Sequence, residues 1–199
     1  MLFITMILLA YLLGSIPSSV WLGRWLKGVD LREHGSGNAG ATNAFRVLGI
    51  PIGIVVLLLD MLKGYAAVSL SYMQHEVQPG DESWIILRIG LGVLVIVGHI
   101  FPVFAGFRGG KGVAAMAGIG LALHPLSALS GIVVYVVVFL IGRISSLASL
   151  VAVLSYPIWM ILVFHSEYRS LWYFSIAVPL LVIITHRANI IRLFRGKET

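Results

Sequence analysis

The chain has 199 residues, of which 59% are hydrophobic and only 11% are charged. Soluble domains carry about 25% charged residues, so this composition excludes an ordinary soluble domain, a disordered chain and a coiled coil. The absence of cysteine excludes disulfides, thiolate nucleophiles and Cys-ligated metal clusters. The net charge of +6 is better explained by membrane topology than by nucleic-acid binding, because basic residues mark the cytoplasmic loops of membrane proteins.

Seven apolar segments are candidates for membrane crossings, each of which needs about 20 mostly apolar residues. They are residues 2–22, 49–72, 84–104, 112–123, 126–141, 147–164 and 171–185. The fourth and fifth segments form either two helices or one long tilted helix. His124-Pro125 offers a break between them, because proline interrupts a helix.

The distribution of Lys and Arg favours seven crossings with the N-terminus outside. In that arrangement eleven of the 14 basic residues lie on the inner side, Arg169 alone lies in an outer loop, and Lys63 and Arg88 lie within spans. Six crossings would place Arg143 and the basic C-terminal segment outside, against the positive-inside rule. The sequence therefore predicts an all-α polytopic membrane protein with seven transmembrane helices and a cytoplasmic C-terminus.

The first inner loop is dense in glycine and small polar residues, and it precedes an apolar helix whose start is marked by Arg46. Its candidate ligand-binding residues are Gly35, Ser36, Gly37, Asn38, Gly40, Thr42 and Asn43. Glycines let successive backbone N–H groups turn toward one point, and such nests bind phosphate. The alternative is a flexible polar loop that only joins two helices.

The second inner segment, HIFPVFAGFRGGKGVAAMAG, has some features of a nucleotide P-loop. Ala105 stands where that motif needs glycine, and Gly112 follows Lys111 where Ser or Thr is needed. These differences disfavour the binding of ATP or GTP by this segment. A glycine-rich turn with Arg108 and Lys111 at the start of a helix still suits an anion and supplies backbone donors. Two basic residues that only reach the lipid headgroups are the alternative.

The third and fourth inner segments, GRISSLASL and THRANIIRLFRGKE, carry the remaining polar candidates. Ser146 and Ser149 lie near the start of the sixth helix, where a hydroxyl caps the helix or binds a ligand. His186 and Asn189 are three residues apart, so they share a helix face. Lipid-headgroup contact is the alternative for this basic segment and is preferred for its last basic residues.

Two charged residues lie within the second span. Asp60 and Lys63 are three residues apart, which predicts that they face each other. A structural ion pair is favoured over a catalytic role, because charges at membrane depth are usually paired. His99 is expected to be a buried, hydrogen-bonded histidine.

Several catalytic signatures are absent from the chain. None of the six histidines has an Asp five positions later, and neither G-x-S-x-G nor H-E-x-x-H occurs. Acyl transfer by this chain would therefore proceed without a His-Asp base. No metal and no cofactor are expected, because the inner segments lack a carboxylate cluster or a histidine set.

Four motifs together resemble the bacterial PlsY family, the membrane glycerol-3-phosphate acyltransferases that use acyl phosphate. They are GSGNAGATN followed by Arg46, GHIFPVFAGFRGGKGVA, GRISSLASL, and HRANIIRL with a following G-x-E. The resemblance runs from the first helix to the C-terminus. It implies a seven-helix fold and the transfer of a fatty acyl group to the 1-position of sn-glycerol 3-phosphate, which yields lysophosphatidic acid and begins bacterial phospholipid synthesis.

The resemblance also implies roles for individual residues. Ser36, Arg46, Lys111 and His186 would be catalytic, and Glu198 would be structural. The implied or candidate substrate-binding residues are Gly35, Gly37, Asn38, Gly40, Thr42, Asn43, Gly106, Arg108, Gly109, Gly110, Gly112, Ser146, Ser149 and Asn189. Ile144 departs from the Tyr that many members have, which affects local packing rather than the chemistry.

The expected whole is a single membrane domain, residues 1–199, in the bacterial inner membrane. Inner loops 23–48, 105–112 and 142–147 and the C-terminal residues 186–199 would form a cytoplasmic active site. The expected partners are the substrates acyl phosphate and glycerol 3-phosphate, together with membrane lipids. Nucleic acid is not an expected partner, and the protein is expected to be a monomer. The rival function is a transporter or channel for a phosphorylated solute, since broken helices and glycine loops also build transport sites. A structural subunit that binds anionic lipid is a third option.

Overall fold

The computed structural model describes residues 1–198, and this part of the chain is helical without a strand, as the all-α prediction requires. Ten α-helices are found in it: α1 Leu2–Ser15, α2 Ser18–Lys27, α3 Ala41–Leu48, α4 Ile50–Ser69, α5 Glu82–Ile100, α6 Val113–Leu123, α7 Pro125–Gly142, α8 Ser145–Pro157, α9 Arg169–Thr185 and α10 Arg187–Phe194. A π-helical turn, Ile158–Val163, continues α8.

Four helical segments are long and apolar enough to cross a bilayer, and six are if each bent helix pair is counted as one crossing. The four single segments coincide with predicted spans to within two residues, whereas the two bent pairs run past the predicted ends, to Lys27 and to Phe194. The fourth predicted span, α6, has 11 residues and is about 16 Å long, roughly half of the hydrocarbon thickness. Seven crossings therefore stay a prediction.

The first predicted span is not one straight helix. α1 and α2 meet at an angle of 43°, and Pro17 lies in the gap between them. Proline has no N–H to continue the helical hydrogen bonds, which explains the break. The expected break between α6 and α7 is confirmed: His124 is the N-cap residue of α7, and its side chain accepts from the N–H of Ser127.

The helices group into two compact units, residues 1–123 and residues 124–199. In the first unit α4 packs against α6 and α3, and α1 packs against α5. The approach of α4 to α6 depends on glycine. A Cβ on Gly64 would meet the carbonyl oxygen of Ala115, and one on Gly118 would meet that of Met61. Small residues at such contacts let membrane helices pack backbone to backbone.

In the second unit α7 packs against α8, and α8 packs against α9. The hydroxyls of Tyr135 and Ser145 share a hydrogen bond of 2.9 Å, which joins α7 to the start of α8. The N-cap residue of α8 is Ile144, and no side-chain cap is present there. The interpretation of a serine as the cap of this helix is therefore wrong. Ser149 instead donates to the carbonyl of Ser145 at 2.9 Å.

Candidate active-site loops

The first loop of the first unit, residues 28–40, is organised around the buried side chain of Asn43. Its Oδ1 accepts from the backbone N–H of Ser36 at 2.9 Å. Its Nδ2 donates to three carbonyls, those of Leu31 at 3.0 Å, His34 at 3.0 Å and Asn38 at 3.1 Å. These contacts give the loop a defined conformation; its role in ligand binding stays a prediction. The oxygen and the nitrogen of the Asn43 side-chain amide both bind the backbone of this loop.

Three of the polar side chains that the sequence marks here reach the surface, whereas Asn43 is buried and Asn38 is half-buried. Ser36, Thr42 and Arg46 are exposed. The apolar helix begins at Ile50 as predicted, but a short helix that was not predicted, α3, precedes it, and Arg46 lies in the last turn of α3 and does not mark the start of α4. Gly35 has φ +60°, and a Cβ there would meet the Oδ1 atom of Asn43, so only glycine fits against that side chain.

The second loop folds back onto the end of α5. The N–H of Gly109 donates to the carbonyl of Ile100 at 3.1 Å, and the N–H of Gly110 donates to that of His99 at 3.1 Å. A Cβ on Gly109 would meet the backbone of His99, and one on Gly110 would meet its ring. These two N–H groups are therefore already engaged. The expectation that they serve as phosphate donors is replaced by a steric role for the two glycines.

Lys111 lies two residues before Val113, the first residue of α6, as the sequence predicts for a basic residue near a helix start. Gly112 has φ +84° and turns the chain into the helix at Val113. The first N–H groups of a helix have no partner within it and carry a partial positive charge. Arg108 is exposed in the same loop, as is Gly106. The start of α6 therefore has the character of an anion site.

The two loops are held together by contacts that sequence analysis did not find. Arg32 donates to the carbonyl of Ala105 at 2.6 Å and makes a fork of hydrogen bonds to Asp30 at 3.0 and 2.8 Å. The hydrogen bonds from Arg32 hold the pKa of Asp30 well below its ordinary value. A Cβ on Gly110 would lie 2.9 Å from the carbonyl oxygen of Ala39. The glycine-rich first loop therefore lies directly against the turn that precedes Lys111.

Buried charges lie behind these loops. Asp60 and Lys63 form the predicted ion pair, with Nζ and Oδ1 2.9 Å apart. His99 is buried as expected, but the expectation that it is fully hydrogen-bonded is wrong: within residues 1–198 its Nδ1 has no hydrogen-bond partner. These three side chains, together with Gly109 and Gly110, line a narrow cleft.

In the second unit, His186 lies at the junction of α9 and α10 and is buried. Its Nδ1 is 3.0 Å from the carbonyl oxygen of Val182. Because a carbonyl only accepts, Nδ1 is the donor in this contact.

Asn189 lies one turn further along α10 and is also buried. Its Nδ2 donates to Glu198, and Arg192 pairs with the same carboxylate at 2.6 Å. Burial alone would raise the pKa of Glu198, but these hydrogen bonds lower it overall. Glu198 thus ties the end of the chain to α10, which confirms its structural role.

Ser146 and Ser149 are buried in the first turns of α8.

Comparison with known proteins agrees with these features. The family model described as glycerol-3-phosphate acyltransferase matches residues 4–196. The glycerol-3-phosphate acyltransferase of Chlorobium phaeobacteroides (strain BS1) is 40% identical over 222 residues, covering 98% of this chain and 94% of that protein. The one from Listeria monocytogenes serovar 1/2a is 42% identical over 194 residues, covering 96% of this chain and 92% of that protein.

Two solved structures show the same fold. A crystal structure of PlsY (YgiH), an integral membrane glycerol 3-phosphate acyltransferase, in its glycerol 3-phosphate form superposes with a TM-score of 0.88 at 36% identity. It covers 99% of this chain and 94% of that one. The lysophosphatidic acid form gives a TM-score of 0.85. The family that the four motifs indicate is confirmed, and the chain belongs to the membrane glycerol-3-phosphate acyltransferases.

Proposed function

We propose that this protein transfers a fatty acyl group from acyl phosphate to the 1-position of sn-glycerol 3-phosphate. The 1-hydroxyl oxygen forms a bond to the acyl carbon, and the bond between that carbon and the phosphate oxygen breaks. The products are lysophosphatidic acid and inorganic phosphate. The observation that carries the proposal is the contact of the two loops: Arg32 binds the carbonyl of Ala105 and holds the glycine-rich first loop against the turn before Lys111.

Both substrates carry phosphate, so the site needs cations and helix starts rather than a protein nucleophile. Arg46, Arg108 and Lys111 supply the cations in the first unit, and the start of α6 adds backbone N–H groups. A hydrogen bond to a charged group contributes about 1.5–3 kcal/mol. Ser36 and Thr42 are exposed and are proposed to contact the substrate, with Gly37, Asn38 and Gly40 shaping the loop.

The reaction is proposed to proceed without a protein base. The phosphate of a mixed anhydride leaves readily once cations bind its oxygens, so positioning and electrostatic stabilisation account for the rate. A phosphate oxygen of the substrate accepts the proton of the attacking hydroxyl. His186 is proposed to bind or orient substrate through Nε2, because Nδ1 faces the carbonyl of Val182. Asn189, Ser146 and Ser149 are proposed as further substrate-binding residues.

The protein is proposed to act as a monomer in the bacterial inner membrane, with seven crossings, the N-terminus outside and the inner loops in the cytoplasm. The charge distribution supports this orientation, since eleven basic residues would lie inside and one in an outer loop. The crossing by α6 requires that the loops at its two ends lie within the membrane thickness, because this helix has 11 residues.

The decisive experiment offers the purified protein glycerol 3-phosphate with acyl phosphate, acyl-CoA or acyl carrier protein as the donor. We expect lysophosphatidic acid and phosphate to appear with acyl phosphate alone. Turnover with either other donor at a comparable rate would contradict the proposed donor. Uptake of glycerol 3-phosphate into sealed vesicles without chemical change would instead establish the transporter.

A single substitution tests the assignment of the second loop. Lys111→Met should raise KM for glycerol 3-phosphate by at least tenfold, since a charged hydrogen bond of about 1.5–3 kcal/mol is lost, and raise KM for acyl phosphate much less. Arg169→Met, which removes a cation from an exposed residue at the start of α9, is the control. Equal effects of Lys111→Met on both substrates would refute the assignment.

A further inference from the structure

Three buried ionisable side chains of the first unit have no part in the reaction as proposed. Asp60, Lys63 and His99 are 2%, 6% and 5% exposed. The Oδ1 atom of Asp60 accepts from Nζ of Lys63 at 2.9 Å and from the hydroxyl of Ser18 at 3.1 Å. Ionisable groups inside a membrane segment are costly and usually functional, so this cluster needs an explanation beyond packing.

Lys63 connects the cluster to the break between α1 and α2. Its Nζ donates to the carbonyl of Ile16 at 3.0 Å, directly before Pro17, which has no N–H. Ser18, the first residue of α2, binds Asp60 from the other side of the break. One ion pair thus fixes both helix ends at this point.

His99 connects the cluster to the second loop. Its carbonyl accepts the N–H of Gly110 at 3.1 Å, and its ring fills the space where a Cβ of Gly110 would lie. On its other side, Nδ1 lies 3.9 Å from the Oδ1 atom of Asp60. This distance is too long for a hydrogen bond, but Nδ1 faces the carboxylate, and a proton carried on Nδ1 is attracted to that negative charge.

We propose that Asp60, Lys63 and His99 are positioning residues that hold the turn formed by Gly109 and Gly110. The ion pair orients the His99 ring, the ring and carbonyl of His99 hold the turn, and the turn places Lys111 at the start of α6. The cluster thereby sets the affinity for the phosphorylated acceptor. This inference rests on the proposed function, since it assigns the acceptor phosphate to Lys111.

The test uses two independent sets of variants of the full-length protein. Asp60→Asn combined with Lys63→Met removes both charges together, because a single replacement would leave the other charge buried and unpaired. His99→Leu removes the ring nitrogens, and His99→Asn restores a polar atom near the position of Nδ1. Ser71→Ala is the matched control: Ser71 is buried in the turn after α4 and is not a residue of the cluster.

Two measurements are made on every variant. The first is KM and kcat for each substrate. The double variant and His99→Leu should raise KM for glycerol 3-phosphate about tenfold or more, as expected for displaced binding groups, with KM for acyl phosphate within twofold of wild type and partial recovery in His99→Asn. The second is hydrogen exchange of a peptide covering residues 105–112, which should become at least tenfold faster in the same variants but not in Ser71→Ala.

The outcomes separate the inference from the proposed function. If the wild-type protein does not acylate glycerol 3-phosphate, the proposed function fails, and the exchange measurement still decides whether the cluster holds the turn. Unchanged exchange in the folded double variant or in folded His99→Leu would overturn the inference. Equal rises of both KM values would also overturn it.

Discussion

The side chain of Asn43 accepts a hydrogen bond from the backbone N–H of Ser36 at 2.9 Å, across the turn that Gly35 begins. A carboxamide is suited to this position because it carries an acceptor and two donors on one short side chain. The donors bind carbonyls of the same loop. The conformation in which Ser36 is presented to solvent therefore depends on a residue at the start of α3.

Asn43→Asp should destabilise the protein and abolish the activity. The carboxylate has the same size and still accepts from Ser36, but it cannot donate to the three carbonyls. A buried polar group left without its partner costs about 1–3 kcal/mol. Thermal unfolding and turnover measure both effects, with Glu33→Gln, an exposed residue of the same loop, as the control. Full stability combined with lost turnover would show that Asn43 contacts substrate instead of holding the loop.

The contact of Arg32 with Asp30 gives the stability a pH dependence of known sign. Hydrogen bonds from Arg32 lower the pKa of Asp30 below its ordinary value, so the folded state favours the ionised carboxylate. The resulting stabilisation is fully present above the unfolded-state pKa of about 3.9 and is lost as the pH falls below it.

Asp30→Asn should therefore lower the thermal unfolding temperature at pH 7 and lower it progressively less as the pH is reduced toward 3. Unfolding curves for the wild type and the variant at several pH values measure the difference. Asp81→Asn, at an exposed position before α5, is the control. A difference that is constant with pH would mean that the carboxylate charge of Asp30 does not stabilise the fold.

The spacing of residues along the chain predicted contacts within one helix, and proline predicted where a helix ends. Asp60 and Lys63 pair because three residues bring side chains to one helix face, and Pro125 ends the run of α6. Pro17 marks a similar break, but the residues on both sides of it are apolar, so the sequence predicted one continuous span there. An apolar pattern reports burial and lipid contact, not the direction of the helix axis.

Contacts between distant segments were not predictable in this way. Arg32 and Ala105 are 73 positions apart, and nothing in the sequence around either residue indicates the other. The glycines of the second loop were recognised as important, but for a different reason. A glycine-rich sequence predicts a flexible backbone with N–H groups available to a ligand. In the structure, Gly109 and Gly110 are needed because a side chain at either position would collide with His99.

The cation of Arg88 is held by aromatic rings and a helix end. Its guanidinium carbon lies 4.3 Å from the ring centroid of Trp84 and 5.9 Å from that of Tyr72, and it donates to the carbonyl of Ala122 near the end of α6. A cation is favoured at a helix C-terminus, and the rings add a cation–π attraction. This contact places a positive charge at the C-terminal end of α6.

Trp84→Leu should lower the free energy of unfolding by about 1–2 kcal/mol through loss of the cation–π contact. Trp84→Phe should lower it less, because it keeps a ring and removes an indole N–H that has no hydrogen-bond partner within residues 1–198. Denaturation in detergent measures both variants. Equal losses for Leu and Phe would show that side-chain volume, and not the aromatic face, supports Arg88.

Two glycines of the second loop separate backbone freedom from close packing. Gly106 has φ +62° with no atom near its virtual Cβ, whereas a Cβ on Gly110 would meet the ring of His99 and lie 2.9 Å from the carbonyl oxygen of Ala39. Gly106→Ala therefore costs only backbone strain of about 1 kcal/mol. Gly110→Ala must push the two loops apart and displace Lys111.

We expect Gly110→Ala to raise KM for glycerol 3-phosphate at least tenfold, as misplaced binding groups do, and Gly106→Ala to raise it less than threefold. Steady-state kinetics with acyl phosphate held at saturation measure the two values, and each variant serves as the control for the other. If Gly106→Ala had the larger effect, the left-handed turn at Gly106 would determine acceptor binding. The contact of Gly110 with His99 and Ala39 would then have no part in it.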